Sequence, residues 1–155
     1  MKQQVTDAIV LRRVNYGEAD RIVTFLTPNA GKLALVARGV RRPKSKLAGG
    51  IELLSISSVT YAGGRSGLGT LVSARLEKHF SKILTDLPRV QLGYELLQTM
   101  DKITEDQPEP EYFTLLATAL AALDVTTIPL PLVRVWFTAQ LLKLAGLTPN
   151  LVTDT

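Results

Sequence analysis

The chain has 155 residues, 46% of them hydrophobic, with 18 Lys/Arg against 14 Asp/Glu for a net charge of +4, and it contains no cysteine. That length and apolar fraction suffice for a true core, in one compact body or two small domains, and set disorder aside for most of the chain. Without cysteine there are no disulfides or thiolate metal sites, and His79, the one histidine, cannot build a zinc site by itself.

The N-terminus, Met1 to Asp7, is polar and acquires an acid before any apolar run develops, which is wrong for a secretory signal. The longest uncharged apolar stretch, Phe113 to Leu123, is too short to span a bilayer. A soluble, cytoplasmic chain with no membrane segment is expected. Its charge is divided unevenly. Residues 1–82 hold fourteen Lys/Arg against five Asp/Glu, a net +9, whereas residues 83–155 hold four against nine, a net −5. Nucleic acid is the commonest large polyanion of a cytoplasm, so the basic half is a candidate electrostatic footprint; a solvated basic surface without a partner is the other reading.

The first half reads as β-structure. Val5 to Val14 and Arg21 to Leu26 are rich in Val, Ile and Thr, and Leu33, Leu35 and Ala37 alternate with Ala34, Val36 and Arg38. Thr27-Pro-Asn-Ala-Gly31 supplies turn chemistry between the second and third runs, predicting a hairpin. Ile51 to Tyr61 changes apolar phase between Leu53 and Leu54, as expected of a bulge that bends a strand around a barrel. From Leu71 the alternation predicts Val72, Ala74 and Leu76 on one face and Ser73, Arg75 and Glu77 on the other, after a hairpin loop at Ala62 to Gly69. Five strands with glycine-marked turns in eighty residues suit a small closed barrel such as an OB-fold.

From Asp86 the period becomes helical. Val90, Gly93, Leu97, Met100 and Ile103 recur at spacings of three and four behind the start signals Asp86 and Pro88. After a break at Asp106 to Pro110, a second helix opens with Pro110 in its first turn and presents Phe113, Leu116, Leu120 and Leu123. A third helix, Leu132 to Leu144, closes at Gly146 and Pro149. Its only charges, Arg134 and Lys143, lie about 180° apart, so it has no broad polar face. Either it is the central element of the helical half, or further chain or a partner covers it. The fold class expected is α+β, an OB-fold domain over residues 1–82 followed by a small all-α domain over residues 83–155.

The densest chemical signal is Ala37 to Gly50, where Arg38, Arg41, Arg42, Lys44 and Lys46 fall within nine positions and no acid interrupts them. Pro43 and the flanking glycines predict an exposed, mobile loop leaving the third strand. Cations so placed suit a phosphate backbone, with affinity falling as salt rises; a solvated charge run is the bland alternative. Lys32, Arg12, Arg13 and Arg21 extend the patch if strand orientation allows. Aromatic platforms are scarce, Tyr16 beside Gly17 being the best exposed candidate, so binding should be mostly electrostatic and weakly selective. No enzyme motif emerges. Gly63 to Gly69 lacks the Lys-Ser/Thr ending of a phosphate cradle, His79 has no nucleophile motif, and Asp101, Glu105, Asp106, Glu109 and Glu111 cluster where solvation explains them.

Taken together, Ala8-Ile-Val-Leu-Arg-Arg13, Tyr16-Gly-Glu-Ala-Asp-Arg-Ile-Val23, Gly31-Lys-Leu33, Ala37-Arg-Gly39, Arg42-Pro-Lys-Ser45 and Ile51-Glu-Leu53 resemble the N-terminal signature of the RecO family of bacterial recombination mediators. The likeness continues more loosely to Gly146-Leu-Thr-Pro149. The resemblance implies an N-terminal OB-fold and a helical domain, and a non-enzymatic role at the nucleoid in DNA repair. It further implies binding of single- and double-stranded DNA, annealing of strands covered by single-strand-binding protein, and partnership with RecR in loading RecA. It assigns DNA contacts to Arg38, Arg41, Arg42, Lys44 and Lys46, then to Lys32 and Arg21. Many family members carry a zinc-finger-like cysteine cluster after a Gly-x-x-Pro-x-Leu segment. Here Gly146 to Leu151 fits that segment but Asp154 stands where the first cysteine is expected, so neither zinc nor another cofactor is expected. From a different class, the alternative is a protein-interaction adaptor whose barrel docks a partner and whose basic loop is incidental.

Overall fold

The computed structural model describes residues 2–64 and 67–146. Five strands, β1 (Gln3–Tyr16), β2 (Asp20–Leu26), β3 (Lys32–Ala37), β4 (Ser55–Ala62) and β5 (Gly69–His79), precede three helices, α1 (Leu87–Ile103), α2 (Pro110–Leu123) and α3 (Leu130–Leu144). The strands close in the order β1-β2-β3-β5-β4. All pairings are antiparallel except β3 with β5, where Leu35 faces Gly69 and Val36 faces Thr70. This is the five-stranded barrel of an OB-fold, and with the helices it makes the α+β class expected.

One long strand makes closure feasible. β1 pairs with β4 through Gln3 to Ile9 and with β2 through Ile9 to Tyr16, and a register shift between Val10 and Arg12 bends it from one partner to the other. The unbroken apolar run Ala8 to Leu11 follows from burial on both faces. Ala8 and Val10 enter the barrel with Val23, Phe25, Leu33, Leu35, Val59, Tyr61 and Leu71. Ile9 and Leu11 turn outward, where Leu26 and Leu54 join them in a second cluster with the helices. The β2–β3 turn forms as its composition demands: Gly31 takes φ +68°, and the Thr27 hydroxyl donates to the Gly31 carbonyl at 2.8 Å.

Two strand expectations are corrected. The phase change at Leu53 and Leu54 is not a bulge inside a strand. Leu54 adopts φ +59° and β4 begins only at Ser55, while the register shifts fall at Ile56/Ser57 and Thr60/Tyr61. A left-handed leucine is strained, and burial of its side chain between barrel and helix offsets that cost. Gly93 of α1 makes the room, since a Cβ there would stand 2.9 Å from Leu54 Cδ2. In β5 the alternation is not clean. The shift that pairs Tyr61 with Leu71 and Thr60 with Ser73 leaves Val72 as the extra residue, so Leu71 and Ala74 pack inward while Val72 and Leu76 stay 43% and 42% exposed.

The segment from β3 to β4 closes one end of the barrel. Val40 and Ile51 are buried in the barrel cluster, with Leu47 and Ala48 packed against it, and Gly50 sits so close to Ala74 that any Cβ would overlap that residue. It is thus not the free loop expected: Val40 and Ile51 are internal, Leu47 and Ala48 are half-buried against the barrel, and all of its cations face solvent.

The helices assemble on the second cluster. Asp86 caps α1 by accepting from the Arg89 amide at 2.9 Å, with proline in the first turn, as the start signals predict. Leu92, Leu96, Leu97 and Met100 of α1 meet Leu116, Leu120 and Leu123 of α2 there. The boundary expected at residues 82 and 83 falls in a short 3-10 turn, Ser81–Thr85, whose Ile83 is fully buried in this same cluster. α3 begins two residues early and is peripheral, not central: Val133 and Phe137 are buried, whereas Leu132 and Val135 are 59% and 65% exposed. Gly146 ends it at φ +70°. Pro149, the rest of the segment to Leu151, and Asp154 lie outside the described residues, as do Arg65 and Ser66 of the β4–β5 connection. No helix among the described residues is long and apolar enough to cross a membrane.

Arg89 fastens α2 and the α2–α3 connection to α1. Only 6% exposed, it pairs with Asp86 at 3.3 Å and donates to the carbonyls of Leu123 (2.7 Å), Val125 (3.3 Å), Thr126 (3.0 Å) and Ile128 (3.3 Å). A guanidinium at the end of α2 satisfies carbonyls that the helix itself leaves open. Arg89→Met should therefore cost about 3 kcal/mol, because several buried acceptors lose their donor. Urea unfolding followed by Trp136 fluorescence and far-UV circular dichroism should show that loss as one coincident transition, since barrel and helices share a cluster. The closing segment gives a second expectation. Trypsin should cut slowly after Arg41, Lys44 and Lys46 in the wild-type chain. Ile51→Ala, which hollows the barrel end, should accelerate cutting by roughly tenfold or more.

Candidate nucleic-acid interface

Pairing of β2 with β3 places Arg21 opposite Ala37, so the chain leaving β3 passes directly over the turn that joins β1 to β2. The two are bonded together. An Asp20 carboxylate oxygen accepts from the Gly39 amide at 2.6 Å, the Ala19 carbonyl from the Arg41 amide at 2.9 Å, and the Gly17 carbonyl from Arg41 Nη1 at 3.0 Å. Gly39 takes φ +67°, a conformation L side chains rarely adopt, and this turns the chain off the line of the strand. Beyond it the segment bonds to itself, Arg42 N–H to the Gly39 carbonyl and Ser45 N–H to the Arg42 carbonyl, both at 3.1 Å.

On this frame Arg38, Arg41, Arg42, Lys44 and Lys46 are all exposed, and among the described residues none forms an ion pair. Arg21 stands half-buried at the same end and donates from Nε to Asn15 Oδ1 at 3.2 Å. Arg13 lies beside it, donating to the Ile51 carbonyl at 3.2 Å. Burial, and after it the nearby Arg21 charge, lower the Arg13 pKa against the opposing pull of Glu52 and Tyr94. Tyr16, half exposed where β1 enters the turn, adds one aromatic ring to the rim.

Lys32 is placed elsewhere. It opens β3 whereas the cationic segment leaves the end of that strand, a separation of about 17 Å along it. Its ammonium donates to the Asp101 main-chain carbonyl at 2.7 Å and pairs with the Asp101 carboxylate at 3.5 Å, and its amide donates to the Glu105 carbonyl. Arg12 reaches the same carboxylate at 3.0 Å. These two cations join the barrel to the C-terminal end of α1, where positive charge meets the carbonyls a helix leaves open. A cleft of about 390 Å³ also lies at the Lys32 end, lined by Gln4, Tyr61 and Asp106 among others. None of the residues that line it belongs to the cationic segment.

Sequence reasoning found the cations but not what holds them. Asp20 and Val40 each carried a signal: an acid directly before Arg21 where the second strand opens, and the one aliphatic side chain inside the Arg38 to Lys46 run. The bonds from Arg12 and Lys32 to Asp101 had none.

Both halves of the chain match known families. Residues 1–80 match the family described as Recombination protein O N terminal, and residues 84–154 match Recombination protein O C terminal. A protein of Desulfatibacillum aliphaticivorans called DNA repair protein RecO is 36% identical over 154 residues, which cover 97% of this chain and 60% of that protein. A protein of the same name from Acetivibrio thermocellus is 37% identical over 146 residues, 93% of this chain and 57% of the relative. Another from Roseiflexus is 39% identical over 120 residues, 77% and 42%. The chain thus spans 60% or less of the length of these curated relatives. On the two family matches and the extent of these likenesses, the chain belongs to the RecO family of DNA repair proteins.

Proposed function

We propose that this chain binds single- and double-stranded DNA on the surface formed by residues 38–46 and the β1–β2 turn, and that it acts as a non-enzymatic recombination mediator. The observation that carries this reading is the set of five exposed cations, free of ion pairs among the described residues, on a segment whose backbone is fixed by packing and hydrogen bonds. Each phosphate contact releases condensed counterions. Arginine forks grip two phosphate oxygens at once, and a fixed frame lowers the entropy lost on binding. Arg21 extends the surface toward the barrel; Lys32, held by Asp101, contributes to the general field rather than to direct contacts. Tyr16 offers one face for base stacking.

Neutralising phosphates on two strands at once reduces their repulsion and lets complementary sequences pair, which requires no catalytic group. Family membership extends the proposal to RecR, to single-strand-binding protein, and to RecA loading in the cytoplasm at the nucleoid. We also propose the division into a DNA-binding domain, residues 1–82, and a helical domain, residues 83–155.

Binding of a fluorescent single-stranded oligonucleotide over a salt series tests the reading. Affinity should fall linearly on logarithmic axes. Changing Arg41, Arg42, Lys44 and Lys46 together to Ala should make the slope shallower by roughly three units, at about 0.7 per lost phosphate contact. Equal slopes would remove the segment from the interface. No binding by either protein, alongside a partner complex that survives high salt, would favour the adaptor role.

A further inference from the structure

Asp20 is an acid set among the cations of the proposed DNA surface, where by charge alone it should repel phosphate. The structure assigns it the opposite effect: we infer that Asp20 is a positioning residue that raises nucleic-acid affinity by fixing the backbone from which the cations project. The inference rests on the DNA-binding reading above and adds to it a determinant that is not itself basic.

The geometry carries the case. Among the described residues Asp20 pairs with none of the surrounding guanidinium or ammonium groups. Its carboxylate instead accepts from the Gly39 main-chain amide at 2.6 Å, a short charge-assisted bond. Gly39 is where the chain leaves the direction of β3 at φ +67°, and Arg38 and Arg41 stand on either side of it. The neighbouring Ala19 carbonyl takes the Arg41 amide, so consecutive residues where the turn meets β2 hold two backbone donors of the cationic segment. Val40, between those donors, is buried in the barrel. With its backbone held at Gly39 and Arg41 and the Val40 side chain buried between them, this stretch meets a strand of phosphates already ordered. Without the Asp20 bond, that ordering would have to be supplied on binding.

What Gly39 needs is an acceptor at this position, not a negative charge, and this separates positioning from charge. Asp20→Ala removes both acceptor and charge. Asp20→Asn keeps an oxygen in place and removes the charge. Asp20→Glu keeps the charge but displaces the acceptor by one methylene. Titrating the fluorescent single-stranded oligonucleotide at fixed salt, we expect Asp20→Ala to bind roughly fivefold more weakly than wild type despite losing an acid. Its salt slope should be unchanged, because every cation remains. Asp20→Asn should bind about twofold more tightly, since the frame survives and a repelling charge is gone. If Asp20→Ala fails to fold by circular dichroism, Asp20→Glu decides: weaker binding supports positioning, and wild-type affinity overturns it. Tighter binding by a folded Asp20→Ala also overturns it while leaving the DNA-binding reading intact. Absence of binding by the wild-type chain is a different failure, that of the DNA-binding reading, and this inference falls with it.

Discussion

A five-stranded barrel of this size cannot seal itself at both ends, and much of the structure follows from how one end is closed. The connection from β3 to β4 crosses it and surrenders Val40, Leu47, Ala48 and Ile51 to the interior cluster. Burying those side chains costs the segment its freedom, and loss of apolar contact with the barrel would cost more. What remains outside is dictated by what has gone in. Between the buried Val40 and the buried Ile51 the charged residues face solvent, Arg41 also donating to the Gly17 carbonyl. The cationic surface is therefore the outer side of a plug, and its order comes from the barrel.

The helical half is joined to the barrel by two kinds of contact. The apolar one is the cluster in which Ile9, Leu11, Leu26 and Leu54 meet α1 and α2, with Gly93 allowing the left-handed Leu54 to approach the helix. The polar one gathers Arg12 and Lys32 on Asp101, at the end of the barrel away from the plug. Part of the acidic balance of residues 83–155 is thereby structural: Asp101 holds the barrel, and Asp86 caps α1 and steadies Arg89. The charge asymmetry seen in the sequence thus divides by use, with cations near the plug left unpaired among the described residues and cations near α1 consumed by the fold.

Where one face of an element is buried, its period could be read directly. Leu33, Leu35 and Ala37 line the barrel as their alternation requires, and the α2 face at Leu116, Leu120 and Leu123 emerges as its spacing requires. The helix start at Asp86 was legible because capping is a local event. Reading failed where a strand changes phase. The extra residue Val72 breaks the apparent alternation of β5, leaving Val72 and Leu76 outside while Ala74 stays inside, and Leu54 imitates a bulge while the strand has not yet begun. For α3 two alternatives stood open, and the exposure of Leu132 and Val135 excludes only the central one, since the described chain covers that helix on one side. In the candidate site, residue types were legible and their fates were not. Arg41 and Lys32 look alike in sequence, yet one rests over a turn with its charge unpaired among the described residues and the other is held by a carboxylate 69 positions away. Contacts over such a distance leave no local trace.

The claim that the plug's outer side meets nucleic acid can be tested residue by residue in the amide spectrum of the ¹⁵N-labelled chain, titrated with an unlabelled single-stranded oligonucleotide at low salt. The largest shifts should fall at Arg38 to Lys46 and at Tyr16 to Arg21, the two segments that Asp20 and Ala19 tie together, while the outer residues of α3 stay unmoved. Shifts concentrated on α2 and α3, with the amides of residues 38–46 unchanged, would contradict it and move the interface to the helical half.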